Sequence, residues 1–204
     1  MTTNLRAFVR ANLPPPPARV LEVGAGSGEL ARELTVAGFA VVAIDPEPAG
    51  DNVDRVALAD VAEPPGSFDA AVAVLSLHHV DPLARSCARL AELVRPGGTL
   101  VVDEFDVAEF DERAASWWLD QRRAIGESED DEPSAMVDDL RAELHPAERI
   151  REALRAGFEV SRPLRGSYLY RWDLDESLRP IEEELIAQGQ LPAVGVRFVA
   201  VRAG

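Results

Sequence analysis

Three glycines at alternate positions, Gly24, Gly26 and Gly28, follow Glu22 and a short apolar run in LEVGAGSGEL. Glycine gives up more backbone freedom on folding than any other residue, so three within five positions need a purpose that side chains would obstruct. Close approach of a ligand to the backbone is such a purpose, and a glycine turn between a strand and a helix is where it occurs. The neighbours of the turn narrow the ligand. A P-loop needs a G-K-[ST] triplet, and the chain contains no lysine. Glu29 stands where the dinucleotide fingerprint needs its last small residue, and its carboxylate at a helix start opposes a pyrophosphate. The pattern left is E-x-G-x-G-x-G, which suits a ligand without phosphate.

The elements around the turn alternate between short β-rich runs and amphipathic helices. Residues 4–12 read as a helix stopped by the prolines 14–17, and ARVLEVG as a buried strand. SGELARELTVAG reads as a helix with Ser27 as cap and Gly38 as stop. Strands are expected at 40–45, 55–60 and 68–77, then a helix over 81–94 with Pro82 in its first turn, an RPGG turn and a fifth strand, GTLVVDEF. This rhythm predicts a doubly wound α/β fold with right-handed crossovers. After Phe105 the rhythm changes to a helix over 110–126, an acidic loop over 127–134 and a helix over 147–157. FEVSRPL is a sixth strand, YLYRW is ambiguous between strand and helix, 175–188 is helical, and VGVRFVAVR is a final strand.

Composition sets outer limits. With 204 residues, 47% of them hydrophobic, the chain is long and apolar enough for one domain with a substantial core. A formal charge of −15 argues against a nucleic-acid partner and against anionic membrane surfaces. No apolar segment spans a bilayer and no signal core is evident, so the default location is cytoplasmic. The single cysteine, Cys87, lies on an apolar helix face and reads as a core residue. Three histidines without ligand spacing offer no metal site.

Five segments, VLEVGAGSGELARELTVAG, AVVAIDPE, ALADV, SFDAAVAVLSLHHV and LVRPGGTLVVDEF, resemble in order and spacing the motifs of class I S-adenosylmethionine-dependent methyltransferases, small-molecule branch. The resemblance implies one domain over residues 1–204 with a mostly parallel seven-stranded sheet. Its antiparallel last strand lies between the fifth and sixth. Residues 106–146 and 166–192 then form substrate-lid insertions. It also implies S-adenosyl-L-methionine as cofactor, S-adenosyl-L-homocysteine as product and a small-molecule acceptor. Gly24, Gly26 and Gly28 would pass beneath the methionine tail, and Glu22 would orient the loop or accept from the amine. Asp45 would accept both ribose hydroxyls and Pro46 would pack beside the adenine. Asp60 would accept from the adenine amino group and the Val61 amide would meet a ring nitrogen. Leu75 and Ser76 would offer backbone groups to the methionine amine.

Methyl transfer is an in-line displacement on an already activated carbon, so positioning supplies most of the catalysis and at most one base is needed. His78 and His79 follow the fourth strand, where a ring can either take a proton or cap the strand end; of the two, His78 is expected nearer the cofactor. Glu104 and His145 are the other polar candidates at the pocket border, and alternation lets only one of Asp103 and Glu104 face it. Trp117, Trp118, Tyr168, Tyr170 and Trp172 either line a pocket for a flat or apolar substrate or pack an added helical layer. Two rivals stand beside the enzyme: a cofactor-binding regulatory or partner protein without turnover, and a nicotinamide-dependent oxidoreductase. Glu29 and the lack of a Tyr-x-x-x-Lys set disfavour the second.

Overall fold

Short runs rich in valine, alanine and leucine fold as central strands because both of their faces are covered, and helices between them supply the cover. The computed structural model describes residues 4–127 and 132–204. Its strands are β1 (Arg19–Val23), β2 (Ala40–Asp45), β3 (Asp54–Arg55), β4 (Phe68–Val74), β5 (Val94–Phe105), β6 (Phe158–Val160), β7 (Leu164–Gly166) and β8 (Gly195–Arg202). Its α-helices are α1 (Leu5–Asn12), α2 (Glu29–Val36), α3 (Leu83–Leu93), α4 (Glu112–Ala124), α5 (Pro133–Glu143), α6 (Ala147–Leu154) and α7 (Arg179–Ala187).

The strand order is β3-β2-β1-β4-β5-β8-β6, with β7 also on β8. All neighbours from β3 to β5 are parallel, while β8 runs antiparallel to β5, β6 and β7. β6 and β7 pair with successive stretches of β8, Ala200–Arg202 and Gly195–Arg197, so the expected sixth strand exists in two pieces in one sheet position. The expected doubly wound architecture, with an antiparallel strand between the fifth and sixth, is the one observed.

Alternation along each strand divides the core between two faces. Leu21, Ala71, Leu100 and Val102 meet Leu83, Cys87 and Leu90 of α3 and Ile150 and Leu154 of α6. Val20, Val72 and Val101 face the other way, onto Phe8 and Val9 of α1 and Leu34 of α2. Cys87 is a core residue as expected, and burial pushes its thiol up to about 12.

Several local expectations differ from the structure. The third strand stops at Arg55, because the Val56 amide turns back to the Asp45 and Asp54 carbonyls and buried Leu58 draws the chain into a 3₁₀ turn over Leu58–Asp60. The fourth strand ends at Val74, where Leu75 takes φ +53°. α2 begins at Glu29 on a left-handed Gly28, without a cap bond from Ser27. α5 was not foreseen, and of the expected acidic loop residues 128–131 lie outside the described residues. YLYRW resolves as a 3₁₀ turn over Leu169–Arg171.

Candidate active site

The exits of β1, β2 and β4 meet at the glycine turn. Gly24 takes φ +68°, and a Cβ there would fall 2.2 Å from Cβ of Ser76, so only glycine lets the β1 and β4 exits cross in contact. Gly26 takes φ +52° with nothing within 4 Å of its absent Cβ, which leaves the turn's outer side open. The Gly24 and Ala25 amides both donate to the Ile44 carbonyl, at 2.9 and 3.0 Å. Asp45 completes the clamp: its Oδ2 accepts from the Gly26 amide at 2.9 Å and its Oδ1 from the Glu47 amide at 2.8 Å. Each carboxylate oxygen retains a lone pair for a further donor.

Two polar atoms beside this turn are buried without a hydrogen-bond partner, Glu22 Oε2 and Ser76 Oγ. Glu22 is 4% exposed and sits on β1 among apolar residues. Burial pushes its carboxyl up to about 7, against the opposing pull of the Ala31 amide and the Arg32 charge. Buried polar groups are almost always paired, so two orphans on one turn mark a place made for a polar ligand.

A cavity lies on each side of the turn. The first, about 450 Å³, has an apolar floor of Val23 and Ile44 and is bordered by Asp45, Pro46, Leu58, Leu75, Ser76 and His79. The second, about 300 Å³, is bordered by Glu22, Gly24, Leu30, Tyr170, Arg171 and Arg179, with α1 residues from Leu5 at its rim. Arg6 of α1 reaches Glu29 at 2.7 Å and Glu33 at 2.6 Å, which ties that helix over the rim.

The remaining expected residues distribute unevenly. Gly24, Asp45, Pro46, Leu75 and Ser76 all border the first cavity, and Glu22 the second. Asp60 and Val61 do not border either. The 3₁₀ turn carries Asp60 outward, where Arg85 pairs with it at 3.0 Å, and the Val61 carbonyl accepts from Arg89. Ala57 and Leu58 occupy the place expected for them.

The polar candidates form a brace. Glu104, on the α3 face of β5, is 1% exposed; its Oε1 accepts from the Ser76 and Leu77 amides at 3.0 and 2.6 Å, and its Oε2 meets Nδ1 of His78. The His145 amide donates to the His78 carbonyl at 2.9 Å, and its Nε2 donates to the Val80 carbonyl at 3.1 Å. Glu104, His78 and His145 thus hold the segment after β4 in shape. It is His79, not the expected His78, that borders the cavity, and burial together with the nearby His78 lowers its pKa from the ordinary histidine value. Asp103 points to the opposite face, as strand alternation requires, and pairs with Arg171 and Arg197.

The aromatic candidates pack chiefly against one another. Trp118 stacks on Trp172 at 4.6 Å and donates to its carbonyl at 2.8 Å, while Tyr168 lies 5.0 Å from Phe105. Trp117 rests on the same cluster, which joins α4 and α5 to residues 168–174. Tyr170 alone of the five borders either of the two cavities, through the turn that Glu182 of α7 holds. Glu182 is fully buried and accepts from the Tyr168, Leu169 and Tyr170 amides at 2.7, 3.0 and 2.9 Å. Arg171 and Arg179 were missed in the sequence, because an isolated arginine in the ambiguous YLYRW segment and another on a helix carry no spacing signal.

No helix among the described residues is long and apolar enough to cross a membrane, and no group of histidine, cysteine, aspartate and glutamate among them is arranged to hold a metal.

Comparison with known proteins places this geometry. A ubiquinone biosynthesis O-methyltransferase of Xanthomonas campestris is 40% identical over 111 residues, which take in 46% of this chain and 45% of that protein. The chain thus spans less than half the length of that relative. An S-adenosylmethionine-dependent methyltransferase of Mesorhizobium loti has the same fold, with TM-score 0.62 and 21% identity over 95% of each chain. A second fold match is a 1,6-didemethyltoxoflavin-N1-methyltransferase of Burkholderia thailandensis, solved with 1,6-didemethyltoxoflavin and S-adenosylhomocysteine. It aligns with TM-score 0.55 and 20% identity over 92% of this chain and 72% of that one. The model of the methyltransferase domain family matches residues 1–159 of the 204, and the chain belongs to that family.

Proposed function

We propose that the protein transfers a methyl group from S-adenosyl-L-methionine to an oxygen, nitrogen or carbon nucleophile of a small molecule, leaving S-adenosyl-L-homocysteine. The observation that carries this reading is the pair of orphaned buried atoms, Glu22 Oε2 and Ser76 Oγ, flanking Gly24 between two cavities. A nucleoside joined to an amino acid fits that arrangement, with an apolar recess for the base and a polar one for the tail.

In this assignment Asp45 accepts from the ribose diol, and Pro46 and Leu58 enclose the adenine. Glu22 takes the methionine ammonium, assisted by the polar groups of Leu75 and Ser76, and the glycine turn passes beneath the tail. The residues present fit the group's donors, since its ammonium and its ribose hydroxyls meet unpartnered or still-accepting oxygens. The cofactor supplies an activated methyl on a positive sulfur, so the chain's task is alignment and exclusion of water. Glu104 serves that task as a positioning residue, because it fixes the Ser76 and Leu77 amides. His79 borders the cavity with a depressed pKa, and is the side chain best placed to accept a proton from an acceptor that carries one.

The segments 106–146 and 166–192 act as the lid of a single domain: Phe110, Trp118, Val137 and Leu144 of the first share one apolar cluster with Tyr168, Leu169 and Trp172 of the second and with Phe105 at the end of β5. Their closed aromatic packing also favours a second reading, a cofactor-binding partner protein without turnover. Methyl transfer from labelled cofactor to a panel of phenols, amines and carbon acids separates the two. For the site itself, Asp45→Ala is expected to weaken S-adenosylhomocysteine binding at least about tenfold, since a hydrogen bond to a charged group contributes about 1.5–3 kcal/mol. Unchanged affinity by titration calorimetry would remove Asp45 from the ribose.

A further inference from the structure

Asp60, the acid expected at the adenine, is turned out of the first cavity, and α3 holds it there. Arg85 of α3 pairs with Asp60 at 3.0 Å, while Arg89 holds the Val61 carbonyl through Nε at 3.1 Å and a terminal nitrogen at 2.8 Å. Leu58 and Val61 sink among Leu83, Cys87 and Leu90, which seals the 3₁₀ turn onto the helix. Between the two arginines stands Ser86, 2% exposed, on the buried face of α3 and at the border of the same cavity. Its hydroxyl makes no hydrogen bond with any described residue. Thr35 of α2 shows where a helical hydroxyl usually rests: it donates to the carbonyl four residues back, Ala31, at 2.8 Å. Ser86 forgoes that bond and leaves a donor and two acceptor sites open on the cavity.

We infer that Ser86, in place of Asp60, meets the exocyclic amine of the adenine, and that the site therefore tolerates a purine with an oxo group there. Gly24 and Ser76 touch, and Asp45 clamps Gly26, so these residues form one end of the cavity. Leu58 and Ser86 form another, where the 3₁₀ turn packs on α3. A ribose on Asp45 sends the base past Pro46 toward Leu58 and Ser86. The purine edge that carries the amine lies farthest from the ribose, so it is the edge that reaches the hydroxyl. A hydroxyl accepts from an amine or donates to an oxo group, whereas a carboxylate only accepts. Asp81 also borders the cavity but is exposed, which leaves its carboxylate in water. The inference deepens the cofactor reading and rests on it.

The test is titration calorimetry of the full chain with S-adenosylhomocysteine and with its deaminated form, S-inosylhomocysteine. The inosyl compound is expected to bind within about fivefold of the adenosyl one, since neither leaves the hydroxyl facing a group it cannot pair. Ser86→Ala, a change that suits a helix, is expected to weaken both about fivefold. Asp60→Asn and Asp81→Asn are expected to stay within about twofold of the unmodified chain. A larger penalty on the inosyl compound, unchanged affinity in Ser86→Ala, or a greater loss in either aspartate variant than in Ser86→Ala would each overturn the assignment. The inosyl comparison needs no variant, so it stands whether or not Ser86→Ala folds. A chain that binds neither compound refutes the cofactor reading and this assignment with it, while S-adenosylhomocysteine binding that is indifferent to Ser86 refutes this assignment alone.

Discussion

Glu22 shows most plainly what the site costs the fold. A carboxyl pushed up to about 7 is largely protonated in the folded state at pH values where the unfolded chain has already ionised. The sign follows from proton binding: the folded state holds the extra proton, so stability from this group is complete below about 4.5 and is lost as pH rises through about 7. The difference amounts to about 3 kcal/mol at alkaline pH. Glu22→Gln keeps the volume and removes the charge. It is expected to raise stability above about pH 7, to flatten the stability profile between the two pKa values, and to weaken S-adenosylhomocysteine binding. Urea denaturation across that pH range, beside calorimetry of the ligand, measures both. A variant no more stable at alkaline pH would mean that Glu22 is not carrying a buried charge there.

Among the elements, those with both faces covered were the ones legible in sequence. β1, β2 and β4 read correctly because continuous apolar runs between turn residues admit few other structures, and Glu22 and Asp45 follow from their place at strand exits. Asp60 was misplaced for the converse reason. β3 is an edge strand held at only Ile44–Asp54 and Asp45–Arg55, so the rhythm that sets its neighbours has no grip on residues 56–61. The 168–171 turn was illegible because its conformation is imposed from a distance by Glu182, which lies on α7. Glu182→Ala leaves three backbone donors without their acceptor and is expected to cost about 2–4 kcal/mol. Faster hydrogen exchange at Tyr168, Leu169 and Tyr170 than elsewhere would localise the effect. Exchange that rises equally throughout the chain would assign Glu182 a role in global stability alone.

Across the whole molecule, charge is divided by place. A chain of net charge −15 presents an acidic exterior, yet the cavities around the β4 and β5 exits set Arg171, Arg179 and Arg197 among acids such as Glu22, Asp103 and Glu176. The exterior disfavours a polyanion, while the interior clefts favour a small anionic or zwitterionic molecule. Together with the orphaned Glu22 and Ser76 oxygens, that division supports the proposal that the glycine turn binds an amino-acid-bearing nucleoside. Binding of its ammonium beside Glu22 would draw the carboxyl pKa down and expel the proton that burial retains. Titration calorimetry with S-adenosylhomocysteine at about pH 6.5, in two buffers of different ionisation enthalpy, reads affinity and proton release together. The account predicts saturable one-to-one binding with a fraction of a proton released to buffer. Absence of binding, or binding with no proton exchanged, would contradict it.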